Sequence, residues 1–354
     1  MGNKVPGMQF GLYAPIPMAT VGSPEVAQAV TEALSPLPDG RLDAQFDLGV
    51  DLLLAADAIG FDLVLFAERH LGNDLAAWVL ASAIGSRLNR IRALVAVHPG
   101  LWDPVMVAKL AVSLDRVCKG RMALNIVNGW FDEEFRMFGG TVLQGEDRYQ
   151  RTLEFIDILR GLWTNETFSY AGQFYKVEKG QLLLKPASLT APEIYSVSGS
   201  DRGRDFIAEH CDWWFIDFPK TAATTDEMMH AIEAAIADMT QRTDRLGRKV
   251  RYALNPFVAL GNTEEDALNA TIERIYAFDP NPDTRKIEKR MMPATKIGCM
   301  GPPDKVLRQI RRFESLGIEL VLCKIIPTIE NVQRIGAEII APMRSGTTSL
   351  SLAS

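Results

Sequence analysis

The residues best suited to chemistry fall in two short runs and a scatter of single positions. In the run SVSGSDRGRDFIAEH, residues 196–210, an apolar segment passes into Ser198-Gly199-Ser200-Asp201 and then into a helical pattern. Backbone N–H groups at a helix start, together with the Ser198 and Ser200 hydroxyls, would suit an anion such as a phosphate. The same residues read equally as an ordinary cap, with Ser200 or Asp201 satisfying the first helical N–H groups. The second run, Glu146-Asp147-Arg148-Tyr149, opens a strong helical pattern. Arg148 offers a planar fork to a phosphate and Tyr149 a phenol. An exposed first-turn charge pattern is the alternative there. His70 and His98 each follow an apolar segment, and each fits a satisfied structural histidine as well as a proton carrier.

No other reactive constellation competes with these. The four histidines stand at 70, 98, 210 and 230, none paired at metal-ligand spacing, so no metal is expected. Cys118, Cys211, Cys299 and Cys323 form neither a CxxC pair nor a disulfide-rich spacing, and no GxSxG elbow occurs. Lys and Arg total 38 against 44 Asp and Glu, so the chain lacks the basic surplus that nucleic-acid binding needs. No apolar run reaches the roughly 18 residues of a membrane span, and no charged-then-apolar leader pattern opens the sequence. The expectation is a cytoplasmic enzyme acting on a small molecule, with no nucleic-acid or membrane partner.

The elements that must position these residues alternate. Apolar strand patterns at 8–14, 62–66, 91–97, 121–127, 192–196, 212–216, 250–260 and 318–324 are separated by helical patterns. Asp103-Pro104 marks a helix start, and residues 167–177 suggest a hairpin centred on Ala171-Gly172. Strands and helices in this number predict an α/β fold, a (β/α)8 TIM barrel with insertions. An open doubly wound sheet would need a glycine-rich first turn, and here that turn reads APIPMAT. One domain over 1–354 is predicted, with insertions at about 18–44, 164–190 and 279–298. Barrel active sites collect at the C-terminal ends of strands. Those ends carry Tyr13, the Glu68-Arg69-His70 run, His98, Asn125, Asn128, Trp130, the Ser198–Ser200 run, Asp217 and Lys324.

The run GRMALNIVNGW at 120–130, with Glu134 nine residues after Asn125, resembles the flavin-dependent monooxygenases of the bacterial-luciferase-like superfamily. Further runs in the same order extend the likeness over nearly the whole chain: GFDLVLF, HPGLWDPVMVAKLAVSLDRVCKGR, EDRYQRTLEFIDILRGLW and ESLGIELVLCKIIP. NGWFDEEFRMFGG followed by EDRYQR is most similar to the two-component dimethylsulfone enzymes, beside the alkanesulfonate and pyrimidine-ring-opening ones. The resemblance implies a luciferase-like barrel that uses O2 and reduced FMN, the flavin coming from a separate NAD(P)H-dependent flavin reductase. It also implies a homodimer or homotetramer. By motif match, Asn125 and Glu134 would line the flavin with Glu68 and Arg69, while Arg148, Tyr149, Ser198, Gly199 and Ser200 would hold its phosphate. Glu68-Arg69-His70 is similar to the Glu-His-His of luciferase, which implies a catalytic His70 assisted by Arg69. The Pro-rich, basic run at 279–295 stands where the family has a loop that closes over the flavin.

Substrate preference is read from the seventh strand. Where the alkanesulfonate enzymes carry an Arg-Leu-His triplet, this chain has Asn255-Pro256-Phe257. An amide and a benzene ring cannot neutralise a sulfonate, and an unpaired buried charge is costly. The dimethylsulfone enzymes likewise have Asn and Phe at these points. The resemblance therefore implies C–S cleavage of a small neutral sulfone, with Asn255 donating to a sulfonyl oxygen. Phe257 reads equally as core. Oxygenation of an amide or N-heterocycle, or a deazaflavin-dependent oxidoreduction on the same barrel, is the alternative.

Overall fold

The computed structural model describes residues 7–14, 44–68, 70, 75–128, 132–187, 190–218, 222–278 and 297–345. The insertions expected at 18–44 and 279–298, and the loop expected at 279–295 within the second, lie almost wholly outside the described residues, as do Arg69 and Trp130. The strands are β1 Gln9–Tyr13, β2 Leu63–Phe66, β3 Arg92–Val97, β4 Met122–Ile126, β5 Phe168–Ala171, β6 Lys176–Gly180, β7 Glu193–Val197, β8 Trp213–Phe215, β9 Arg251–Leu254, β10 Ala259–Leu260, β11 Met300–Gly301 and β12 Ile318–Cys323. Eight of them form a closed parallel barrel in the order β1-β12-β9-β8-β7-β4-β3-β2, with helices between strands, which is the (β/α)8 architecture that the strand spacing implies. Every residue of β2 and β4 is buried, as strands covered on both faces must be. The described residues group into two compact units, one within 1–63, 218–236 and 252–354, the other within 64–217 and 237–251.

In the first unit, Asp62 starts the sheet. Its Oδ2 accepts from Phe10 N at 2.9 Å while its own N donates to Phe10 O at 2.7 Å. Arg344 closes on the same carboxylate at 2.9 Å. The seventh strand departs from expectation. A single strand over 250–260 is predicted, but β9 ends at Leu254, and Ala259–Leu260 pairs instead with Met300–Gly301 in a separate small parallel sheet. Pro256 causes the break, because it has no N–H to continue the ladder. Its carbonyl accepts from Lys324 N at 2.9 Å, and Val258 N donates to Lys324 O at 2.9 Å, so the chain is clasped at the turn. Phe257 then packs on a satellite cluster of Ala259, Ala267 and Met300.

The second unit repeats the aspartate device. Asp212 Oδ2 accepts from Ile194 N at 2.8 Å, and Asp212 N donates to Ile194 O at 2.8 Å. The helix Pro104–Val117 begins as predicted, with Asp103 accepting from Val105 N and Met106 N and Pro104 in the first turn. The hairpin also forms, β5 against β6, but it hangs on a residue no local pattern singles out. Glu154, wholly buried on the helix Gly145–Thr164, accepts from the backbone N–H of Gln173, Phe174 and Tyr175 at 2.8, 2.8 and 3.0 Å. A Cβ on Gly172 would lie 2.3 Å from that carboxylate, so only glycine permits the approach. Replacing Glu154 by Ala is expected to strand three donors and cost about 2–4 kcal/mol. Urea unfolding of the two proteins checks this, and an unchanged midpoint would show that the hairpin does not depend on the carboxylate.

Candidate active site

Two groups of strand-end residues are assembled, one in each unit. In the second unit, the turn after β7 brings the Ser-Gly-Ser run to the helix Asp201–His210. Ser200 caps that helix, accepting from Gly203 N at 3.1 Å. The cap and the hydroxyl cluster therefore coexist. Ser200 Oγ is also 3.2 Å from Tyr149 Oη and 3.2 Å from Ser198 Oγ, and Ser198 is held through its carbonyl by Trp214 Nε1 at 3.0 Å. Three hydroxyls thus converge on one helix start, with the Arg148 guanidinium 5.7 Å from the Tyr149 ring. Gly203 makes the convergence possible. A Cβ there would lie 1.9 Å from Ser198 Oγ and 2.4 Å from Ser198 Cβ, too close for any rotamer to relieve. Gly199 likewise leaves room for Asp217, whose Oδ2 would stand 3.1 Å from a Cβ.

The neighbouring cations are committed to carboxylates. Arg202 pairs with Glu146 at 2.7 Å, and Arg204 and Arg242 share Asp201 and Asp238, with Arg242 also on Asp205. The helix start also presents hydroxyls, backbone N–H groups and the helix dipole, groups that suit an anion, and Arg148 stands near Tyr149.

The ends of β2, β3 and β4 carry the other residues singled out in this unit. Glu68 is buried, and its Oε1 lies 3.6 Å from His70 Nδ1. His70 N donates to Glu134 Oε1 at 2.9 Å, and the His70 ring stands edge-on to Phe138 at 5.0 Å and to His98 at 6.3 Å. Glu134, on the short helix Asp132–Met137, therefore bonds the loop after β2. His98 is a tie between strand ends, with its ring nitrogens 3.2 Å from Val127 O and 3.4 Å from Glu68 O. Asn125 is buried in β4, and its Oδ1 has no hydrogen-bond partner among the described residues. The same holds for Asn128 Oδ1 and for the Nε1 groups of Trp78 and Trp102, whose rings meet edge-to-face at 6.4 Å. Buried polar atoms without partners are uncommon and mark places where a ligand or water belongs. Trp78 and Asn128 carry this signal only in three dimensions.

In the first unit, Asn255 follows β9 and donates through Nδ2 to Tyr13 Oη at 3.2 Å. Burial pushes the Tyr13 phenol up to about 12, partly offset by that bond. Lys324 Nζ lies 5.8 Å from the Tyr13 ring centre and 5.4 Å from that of Phe257. A cation at the end of β12 thus lies beside the ring of Phe257. Among the described residues no group of His, Cys, Asp and Glu could hold a metal ion, and no helix is long and apolar enough to cross a membrane.

Known proteins share much of this sequence and this fold. An FMNH2-dependent dimethylsulfone monooxygenase of Pseudomonas fluorescens (strain Pf0-1) is 28% identical over 337 residues, covering 86% of this chain and 90% of that protein. Among solved structures, an F420-dependent secondary alcohol dehydrogenase with an F420-acetone adduct superposes with a TM-score of 0.71 at 15% identity, covering 95% of this chain and 99% of that one. The oxygenating constituent of 3,6-diketocamphane monooxygenase from Pseudomonas putida, in complex with FMN, gives 0.68 at 16% identity, with 94% and 98% covered. Both structures share the fold. The family described as luciferase-like monooxygenase matches residues 8–320, and the chain belongs to it.

Proposed function

We propose that this protein uses reduced FMN and O2 to oxygenate a small sulfone beside sulfur, and that a separate NAD(P)H-dependent reductase supplies the flavin. The relative named above supports the reaction class, since it is named an FMNH2-dependent dimethylsulfone monooxygenase. The observation that carries the cofactor assignment is the convergence of Tyr149, Ser198 and Ser200 on one helix start. A phosphate there would accept from hydroxyls and backbone N–H groups, with Arg148 adding charge and Gly199 close backbone approach.

The buried Asn125 and Asn128 oxygens fit the same group. They are acceptors in want of donors, and a reduced isoalloxazine carries ring N–H donors. When bound, the reduced flavin supplies the electrons that activate O2. The chain's own part is to bind, to orient and to exclude water. Glu68, Arg69 and Glu134 would border the ring, and Trp78 and Trp102 would keep its surroundings apolar. His70 would hold a proton at Nδ1, steadied by the Glu68 carboxylate.

Because Arg202, Arg204 and Arg242 already serve carboxylates, affinity for the phosphate rests largely on neutral donors, with Arg148 near Tyr149 adding to them. Such a site suits a flavin that arrives and leaves with each turnover. Arg148→Ala is expected to lose about 1.5–3 kcal/mol, one to two decades in reduced-FMN affinity, and Ser200→Ala somewhat less. Anaerobic titration with reduced FMN measures both, and wild-type affinity in Arg148→Ala would overturn the phosphate assignment.

The reaction itself is tested by feeding chemically reduced FMN and dimethylsulfone in air. O2 uptake dependent on the sulfone, with a one-carbon aldehyde released, is expected. Turnover that proceeds without O2 would favour a deazaflavin-type hydride transfer instead. Oxidation of NAD(P)H by the purified chain alone would remove the need for a reductase.

A further inference from the structure

Arg151, three residues after Arg148 on the helix Gly145–Thr164, is a buried cation that pairs with no carboxylate among the described residues. Its Nη1 donates to Thr141 O at 2.9 Å, and its Nε has no hydrogen-bond partner among the described residues. Burial lowers its pKa, and the Arg148 cation pulls the same way. The nearby Tyr175 phenol is no counter-charge, since burial pushes it up to about 12. A guanidinium keeps its proton even so, and burying it unpaired is costly. An apolar side chain of similar length would fill that space without the penalty. What the guanidinium adds is a junction of three segments. Its Cζ stands 5.2 Å from the centre of the Phe135 ring. The backbone of Gly100, at φ +96°, packs so close that a Cβ there would overlap the guanidinium carbon. Gly140, beside Thr141, donates to Phe135 O at 2.7 Å. The loop after β3, the helix Asp132–Met137 and the segment 140–141 therefore meet at one side chain.

The helix Asp132–Met137 has six residues, too few to be stable by itself, and only Glu134 and Phe135 among them are buried. Phe135 is set against Arg151, and Glu134 accepts from His70 N at 2.9 Å. Phe138, the first residue past the helix, holds its ring 5.0 Å from that of His70. Every residue in this chain of contacts belongs to the second unit. We propose that Arg151 is a positioning residue for His70. It seats the short helix, and the helix fixes the His70 backbone through Glu134 and the His70 ring through Phe138. The effect on turnover rests on the oxygenase reading above, in which His70 holds a proton and Glu134 borders the flavin. Misplacing such a group by about 1 Å can cost on the order of a hundredfold in rate. Arg151 acts through the helix and not on the reacting atoms.

The test compares Arg151→Met with wild type, both as full chains. Methionine fills irregular apolar space but carries neither the charge nor the donors. The urea midpoint is expected to be equal or higher, because an unpaired buried charge is gone. Hydrogen exchange, followed by mass spectrometry, should quicken about tenfold or more in the peptides that contain His70 and Gly140. It should stay as in wild type at Ile194, whose N–H is held by Asp212. With chemically reduced FMN and dimethylsulfone in air, kcat should fall about tenfold, while KM and reduced-FMN affinity move less than about threefold. Adding Arg151→Met to Glu134→Ala should cost little beyond Glu134→Ala alone, since both act on one path to His70.

Unchanged exchange at His70 and Gly140 in Arg151→Met would overturn the proposal. So would a lower urea midpoint with faster exchange at Ile194 as well, the pattern of a side chain that merely supports the fold. Faster exchange at His70 with a wild-type kcat would also overturn it, because placing His70 would then serve no step of turnover. If wild type fails to turn over the sulfone, the oxygenase reading falls, while the exchange measurement still decides whether Arg151 seats the helix.

Discussion

Register is the constraint on which the rest of this fold depends. In a parallel sheet the side chains alternate faces, so a slip of one residue would turn every site residue of a strand to the wrong side. Asp62 and Asp212 guard against it in the same way. Each stands just before a strand and exchanges a carboxylate bond and a backbone bond with the strand preceding it in sequence, Phe10 in one case and Ile194 in the other. Asp62 thereby fixes the register at Phe10 and Asp212 that at Ile194, and the other pairings keep the same order. Tyr13 comes level with Lys324, and Asn125 falls beside Ala96 on one neighbour and Tyr195 on the other.

The phosphate-binding candidate illustrates how neutral groups can be concentrated where charged ones are balanced away. Arg202, Arg204 and Arg242 crowd the helix start at Asp201, yet each is held by carboxylates. Surface pairs of this kind add little stability. Their effect here is on the field, which they flatten, leaving hydroxyl geometry and the helix dipole to set affinity. Gly203 is the hinge of that design, because its missing side chain lets Ser198 and Ser200 share one small space.

Much of this was legible in the sequence where cause and effect lie close along the chain. The cap at Asp103-Pro104, the strands at β2 and β4 and the Ser200 helix start depend on neighbours within a few residues, and local pattern reads them well. The seventh strand is shorter than its pattern implies although Pro256 stands in plain view, because the apolar run on both sides outweighs one missing donor in any pattern count. Other features had no local signature. Glu154 reaches about twenty residues to hold a turn, and the pairing of Asn255 with Tyr13 spans 242 positions. Lys324 was visible as a strand-end residue, but its company was not. Reading the seventh strand alone hid the cation that lies beside the Phe257 ring at the end of β12.

The clasp around Pro256 has a consequence for how such an enzyme can change. Lys324 secures the 256–258 segment through its own N–H and carbonyl, two bonds that any residue except proline can make, at least on the donor side. Its side chain is not part of that fastening. Position 324 therefore separates heritable shape from heritable chemistry. A lineage could exchange the ammonium there for a neutral, acidic or bulkier group, and so explore new substrates, while the backbone that carries Asn255 and Phe257 stays where it is.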